Sequence, residues 1–180
     1  VSEKEELVDT VWLACAIDGE GGIGIYLGSK LSLSPVIYVC NDNADFVGYA
    51  KAILESTSKI LEPRGTYTVR LEQKLKIETV LKRVLPYLLV KRTQAQVVIK
   101  FIERRRQNSN AYTVDDWYDY LLLRLLNNRN RLSLSEIVSK VLDTIKSYES
   151  PQMIVKRYYI GERESMVKEV EVLLRKEGYV

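Results

Sequence analysis

An α+β fold with one antiparallel sheet is what this sequence predicts, and three observations predict it. Over residues 1–106, apolar runs at helical spacing alternate with runs of period two. Their order is helix, two strands, helix, two strands, helices, which suits a single antiparallel sheet. Beyond residue 110 every apolar run has helical spacing. The 180 residues, 46% of them apolar, suffice for one compact domain, with a core over residues 1–110 and a helical extension over 111–180 packed on it.

The first helix is carried by Leu7, Val8, Val11, Trp12 and Cys15, and Gly19 can close it. Ile23, Ile25 and Leu27 then alternate with Gly22, Gly24, Tyr26 and Gly28 as a strand. Pro35 opens a second strand through Asn41, with Ile37 and Val39 on one face and Val36, Tyr38 and Cys40 on the other. Asn43 is placed to cap a helix from Ala44 to about Thr57, with Phe46, Val47, Ala50, Ile53 and Leu54 as its stripe. Two short strands follow, Lys59 to Glu62 and Thr66 to Glu72, joined at Pro63-Arg64-Gly65. In the later one Tyr67, Val69 and Leu71 face one way, and Thr66, Thr68, Arg70 and Glu72 the other. A helix from Lys76 to Leu85 stops at Pro86, and another runs to about Arg106. Thr113 with Asp116, and Ser133 with Glu136, have capping-box spacing before two further helices, and a last helix ends near Gly178.

Composition narrows the chemistry. There is no histidine, and Cys15 and Cys40 are the only cysteines, so a zinc site or a Ser-His or Cys-His nucleophile is not expected. Hydrolysis would have to rest on carboxylates, lysines, tyrosines and an oxygen-loving metal. The most apolar N-terminal stretch, Val11 to Ile17, is too short to span a bilayer and is flanked by Asp9 and Asp18. A soluble intracellular protein without a membrane partner is therefore expected. Val1 stands in place of an initiator Met, so a trimmed start is expected too. The net charge of +3 hides an uneven distribution: residues 1–62 hold 4 basic and 10 acidic side chains, and residues 63–110 hold 12 and 3. The basic middle points to a polyanionic partner, although a solvated helix face would read the same way. Few cysteines and methionines beside abundant Ile, Val, Glu, Arg and Tyr suggest a thermophilic source.

The chemistry-bearing stretch is Leu13-Ala14-Cys15-Ala16-Ile17-Asp18-Gly19-Glu20-Gly21. A second block, Leu85-Pro86-Tyr87-Leu88-Leu89-Val90-Lys91-Arg92-Thr93-Gln94-Ala95-Gln96, follows after the strand-strand-helix-strand-strand region. In this order and spacing the two resemble the recurrent blocks of the LAGLIDADG homing endonuclease family, over about residues 7–106. The chain is identified as a single-motif member, of the kind that archaeal introns encode.

The resemblance implies an αββαββα homing-endonuclease fold, with a four-stranded antiparallel saddle for the DNA major groove and extra C-terminal helices. It implies a site-specific double-strand DNA endonuclease that serves intron homing and cuts a long pseudo-palindromic target by metal-dependent phosphodiester hydrolysis. Glu20 then falls on the catalytic, metal-binding carboxylate, with the Gly19 carbonyl beside it. Lys91 falls on the active-site lysine and Asn41 on a polar residue of the water network, while Asp18 holds the helix end. Mg²⁺ is the expected cation, with Mn²⁺ able to substitute and Ca²⁺ binding without supporting cleavage. Tyr26, Lys30, Tyr38, Arg64 and Arg70 are the expected DNA contacts. Lys100, Arg104 to Arg106, Arg129 and Arg131 could reach flanking phosphates. One motif per chain implies a homodimer on double-stranded DNA, its motif helices meeting at Trp12, Ala14, Cys15 and Ala16. The strand face is poorer in Arg, Lys and Gln than the family's usual face, and Asp45 stands where some relatives are basic, so readout leans toward apolar contact and DNA deformation. An RNA maturase, or a non-catalytic DNA-binding regulator on the same fold, is the alternative.

Overall fold

A computed structural model of the chain describes residues 2–28, 31–62, 65–108, 111–128, 131–148 and 157–179. Among them the order is α1 (Glu3–Glu20), β1 (Gly21–Leu27), β2 (Leu33–Asn41), α2 (Ala44–Ile53), β3 (Tyr67–Leu71), α3 (Lys74–Val84), a 3-10 turn (Leu85–Tyr87), α4 (Arg92–Gln107), α5 (Val114–Leu126), α6 (Leu134–Ser147) and α7 (Arg157–Lys176). The strands form one sheet in the order β1-β2-β3, with β2 and β3 antiparallel. The mixed architecture expected from the periodicities is therefore present.

The chain divides into two compact units, Val1–Gly24 with Pro35–Arg104, and Ile25–Ser34 with Arg105–Val180. The second unit takes in Ile25–Ser34, which includes the end of β1 and the start of β2.

In the first unit α1 packs on α2 and α3, and α2 packs on β3. Period two decides the sheet: Ile37 pairs with Leu71 and Val39 with Val69 on the buried face, while Tyr38 pairs with Arg70 and Cys40 with Thr68 on the other. Trp12 joins α1 to α2 by stacking on Phe46 and Tyr49 at 4.9 and 4.6 Å. The Tyr49 hydroxyl donates to Asp9 at 2.5 Å, and that bond pushes its pKa up. Asn43 caps α2, its side chain accepting from the Asp45 and Phe46 N–H groups.

Two local expectations are corrected here. The fourth strand, expected over Lys59 to Glu62, is reduced to a single bridge in which Leu61 and Thr68 exchange backbone bonds of 2.9 and 2.7 Å. Only Leu61 of that stretch meets β3, so among the described residues the sheet has three strands. Helix α2 ends at Ile53 rather than near Thr57. Glu55 turns to φ +47°, and the Ser56 hydroxyl donates to the Arg70 carbonyl at 2.5 Å, which a continued helix would forbid. The Pro63-Arg64 part of the expected turn lies outside the described residues.

In the second unit α5, α6 and α7 pack on one another around Trp117, Leu121, Ile145, Val167 and Leu174. Both predicted capping boxes close: Thr113 with Asp116, and Ser133 with Glu136. A third closes at Ser2 and Glu5, ahead of α1. Two tyrosines tie Gly28 and Leu33 to this unit. Tyr148 donates to the Gly28 carbonyl at 3.1 Å, and the Tyr112 hydroxyl bonds both the N–H and the carbonyl of Leu33, at 2.9 and 3.2 Å. Arg105 lies over the Tyr112 ring and 3.4 Å from the buried Asp116.

Candidate active site and nucleic-acid interface

The end of α1 is set by how closely β2 approaches it. Gly21 leaves the helix in extended backbone, and its N–H still donates to the Ile17 carbonyl. A Cβ on Gly21 would stand 2.5 Å from the Tyr38 carbonyl oxygen and 2.9 Å from Ile17 Cα, so only glycine fits. A Cβ on Gly22 would meet the Tyr38 ring at 2.4 Å. The glycines that crowd the start of β1 thus let Tyr38 lie across the strand. The Cys40 thiol donates to the Glu20 carbonyl at 3.1 Å, a second tie between the turn and β2.

The two carboxylates of the turn have different surroundings. Asp18 accepts from three successive backbone N–H groups: Leu89 at 2.7 Å, Val90 at 3.1 Å and Lys91 at 2.8 Å. Glu20 is exposed, as is Gly19, which has nothing within 4 Å of where a Cβ would stand. A carboxylate bonded three times over has little left for a cation, whereas one facing open space beside helix-end carbonyls has oxygens to offer. Among the described residues no three His, Cys, Asp or Glu side chains are grouped so that they could hold a metal ion.

Lys91 is buried, with its ammonium donating to the carbonyls of Ile17 at 2.9 Å and Asp18 at 2.5 Å. A cation at a helix C-terminus answers both the carbonyls that end the helix and the dipole. It also sets positive charge behind the Glu20 turn. The family resemblance implies a place for Lys91 beside a scissile phosphate; the structure places its head against the helix that carries Glu20. Asn41, expected in a water network, accepts from the Asn43 N–H at 2.9 Å and shapes the start of α2.

On the strand face the structure brings Tyr38 and Arg70 together as cross-strand partners. Arg70 is exposed, and Tyr26 is exposed on β1. Lys30, Arg64 and Arg129, also expected to contact nucleic acid, lie outside the described residues. Arg105 leaves the list of phosphate contacts, because its guanidinium is turned inward to Asp116 and Tyr112. Lys100, Arg106 and Arg131 are exposed.

Three of the four expected dimer contacts are engaged in packing within the chain. Ala14 and Ala16 are buried in the chain's own core, and Trp12 is engaged with α2. Of the four, Cys15 is exposed. The outward face of α1 is instead Leu7, Val8, Val11 and Cys15, the first three 48%, 57% and 37% exposed. Near the other end of the same helix, Leu89 and Val90 are 85% and 70% exposed. The signal for this face was in the sequence: α1 is apolar on two sides, and its own core uses only one of them.

No family model matches the chain, and no curated protein matches it. Solved structures do. The homing endonuclease I-CvuI, crystallised with the I-CreI target in 2 mM Mg with the DNA not cleaved, matches at 18% identity over 98% of each chain, with a TM-score of 0.55. The LAGLIDADG meganuclease I-AabMI, bound to uncleaved DNA, matches at 15% identity over 64% of this chain and 43% of its own, with a TM-score of 0.54. The homing endonuclease I-TnaI matches at 15% identity over 73% of this chain and 97% of its own, with a TM-score of 0.52. At these identities the likeness establishes the fold: this chain has the fold of the LAGLIDADG homing endonucleases.

Proposed function

We propose that this chain is a homing endonuclease that cuts double-stranded DNA as a homodimer, with Glu20 as its metal-binding carboxylate. The observation that carries the reading is the unequal fate of the two carboxylates in one turn. Asp18 is consumed by three backbone N–H groups, while Glu20 is held out to solvent on a turn fixed from both sides.

The residues fit a divalent cation of the magnesium type. Glu20 and the Gly19 carbonyl would hold it, both being hard oxygen donors at the end of α1. Such a cation, when bound, polarises a phosphodiester and lowers the pKa of a bound water. Lys91 offsets the negative end of α1 and the negative charge of Glu20, so the turn can approach a phosphate backbone without net repulsion. Tyr38, which is half-buried, and the exposed Arg70 offer an aromatic edge and a fork of donors for base edges or phosphates, and the ring of Tyr26 is exposed on β1.

One such carboxylate per chain cuts one strand, so a second copy is required. The apolar outer face of α1 fits that use. Leu7, Val11 and Cys15 recur at every fourth position and Val8 lies beside them, which makes a ridge for a symmetry-related helix. Leu89 and Val90 extend the apolar surface at the Glu20 end. Two copies joined this way present two Glu20 turns side by side and read a pseudo-palindromic site. Intron homing is the role such an activity would serve.

The test is cleavage of a plasmid library of random pseudo-palindromes by the wild type and Glu20→Gln, with Mg²⁺ and with Ca²⁺. Cutting of a few long sequences with Mg²⁺ alone, lost in the variant, is expected. Salt-sensitive binding to nucleic acid without cutting under any condition would replace this reading with the maturase or the regulator.

A further inference from the structure

Asp18 and Lys91 bond each other's backbones in both directions. Asp18 collects the N–H groups of residues 89–91, and Lys91 collects the carbonyls of residues 17 and 18. The bonds of Asp18 are not ordinary capping of α4, because its three donors are the N–H groups of residues 89–91, ahead of the first helical residue Arg92. The carboxylate instead holds a connection that has no regular structure of its own. Arg92 completes the hold from the opposite polarity, donating to the carbonyls of Pro86 and Leu88 at 3.1 Å each. Residues 86–91 are thus held through both their donors and their acceptors, although Leu89 and Val90 point outward.

The consequence falls on Glu20. On its far side the chain is held by β2, through the Cys40 thiol and the packing of Gly21 against Tyr38. On its near side the carbonyls of residues 17 and 18 are held by Lys91, which Asp18 in turn seats by its own backbone N–H. Opening the latch frees the last turn of α1 on one side only. The Glu20 carboxylate keeps its chemistry and its exposure but loses a fixed direction. A ligand held in place binds its cation more tightly than one that swings, and groups one step removed from a metal act in this way.

We propose that Asp18 is a positioning residue: with Lys91 it forms a two-way latch that fixes the Glu20 turn, and so sets cation affinity without touching the cation. This rests on the reading of Glu20 as the cation ligand.

The experiment uses the full chain and two readouts. Amide hydrogen exchange at Leu89, Val90 and Lys91 reports the latch itself. Affinity for Mn²⁺ alone, followed by its electron paramagnetic resonance signal, reports Glu20. Asp18→Asn, which keeps the shape, is expected to speed exchange at the three amides by about tenfold or more. It is expected to weaken Mn²⁺ about ten- to a hundredfold. Lys91→Met, which also removes a positive charge that opposes the cation, should speed exchange at the same three amides to a similar degree, and the double variant no further, because the pair acts as a unit. Glu20→Gln should lose Mn²⁺ and leave exchange at the three amides unchanged. In cleavage, Asp18→Asn should raise the Mg²⁺ needed for half-maximal rate while the rate at saturating Mg²⁺ stays near wild type, a split that general destabilisation would not give. Unchanged exchange in Asp18→Asn, or Mn²⁺ affinity that depends on Glu20 but not on Asp18, overturns the latch. Mn²⁺ binding that is indifferent to Glu20 overturns the functional reading and the positioning role with it, while the exchange rates still report whether the latch exists.

Discussion

Replacing Gly21 by alanine should damage the protein through steric contact alone, and the size of the damage can be worked from the structure. The backbone at Gly21 is extended, φ −113° and ψ −166°, so an alanine there meets no conformational penalty. The cost is steric. The new Cβ would lie 2.5 Å from the Tyr38 carbonyl oxygen, 2.9 Å from Ile17 Cα and 3.2 Å from the Ile17 carbonyl oxygen. All three are backbone atoms, so no side chain can swing aside. Ordinary contact at about 3.5 Å requires β2 to retreat from Gly21 by roughly 1 Å and the last turn of α1 to shift by roughly half of that. Forced overpacking of this kind costs about 1–3 kcal/mol. The same movement lengthens the Cys40 bond to Glu20, so cleavage should fall by more than the loss of folded protein explains. Gly48 in α2 is the control, because a Cβ there meets nothing within 4 Å. Gly48→Ala should stabilise by about 1 kcal/mol from helix propensity alone. The assay is urea unfolding of wild type and both variants at one protein concentration, since a dimer's midpoint depends on concentration. A Gly21→Ala midpoint at or above that of the wild type would refute the reasoning.

Val11→Asp places a charge on the outer face of α1 and should halve the mass seen by light scattering while leaving the secondary structure intact; an unchanged dimer would remove α1 from the interface. Asp116→Ala takes the carboxylate from Arg105 in the interior of the second unit and should cost about 3–5 kcal/mol in urea unfolding, with a loss below about 1 kcal/mol counting against a buried pair. Glu5 and Glu136 have pKa values held below the ordinary 4.5, Glu5 by the Ser2 backbone and side chain and Glu136 by the Ser133 side chain and backbone. Their folded values lie under their unfolded ones, so their contribution to stability is present above pH 4.5 and is lost as pH falls through the folded values. The urea midpoint should therefore drop on acidification, and Ser133→Ala should shrink that drop; an identical acid response in the variant would contradict the assignment.

Much of the fold was legible because local chemistry and tertiary packing agree in it. Thr113 and Asp116, or Ser133 and Glu136, specify a helix start by bonds within four residues, and the structure makes those bonds. Ile37, Val39, Val69 and Leu71 alternate in sequence and meet across β2 and β3. What was not legible depends on distant partners. Nothing near Lys91 in sequence says that its ammonium caps a helix 74 residues earlier. Ala14 and Ala16 are small, as a tight helix contact requires, but the contact they serve is inside the chain. Lys59 to Glu62 has strand-forming residues, yet its pairing with β3 is limited to Leu61. The roles of Asp18 and Glu20 differ only because the connection at residues 89–91 lies against one of them.

The central claim is that two Glu20 carboxylates, one from each copy, make the double-strand cut. It is tested most directly with mixed dimers of wild type and Glu20→Gln, separated by a tag on one copy and given a supercoiled plasmid that carries the target recovered from the library. Mixed dimers should bind the plasmid as the wild type does and fail to produce linear DNA, leaving it nicked or intact. Linear product from mixed dimers at half the wild-type rate or more would contradict the claim, and a single Glu20 would then suffice for both strands.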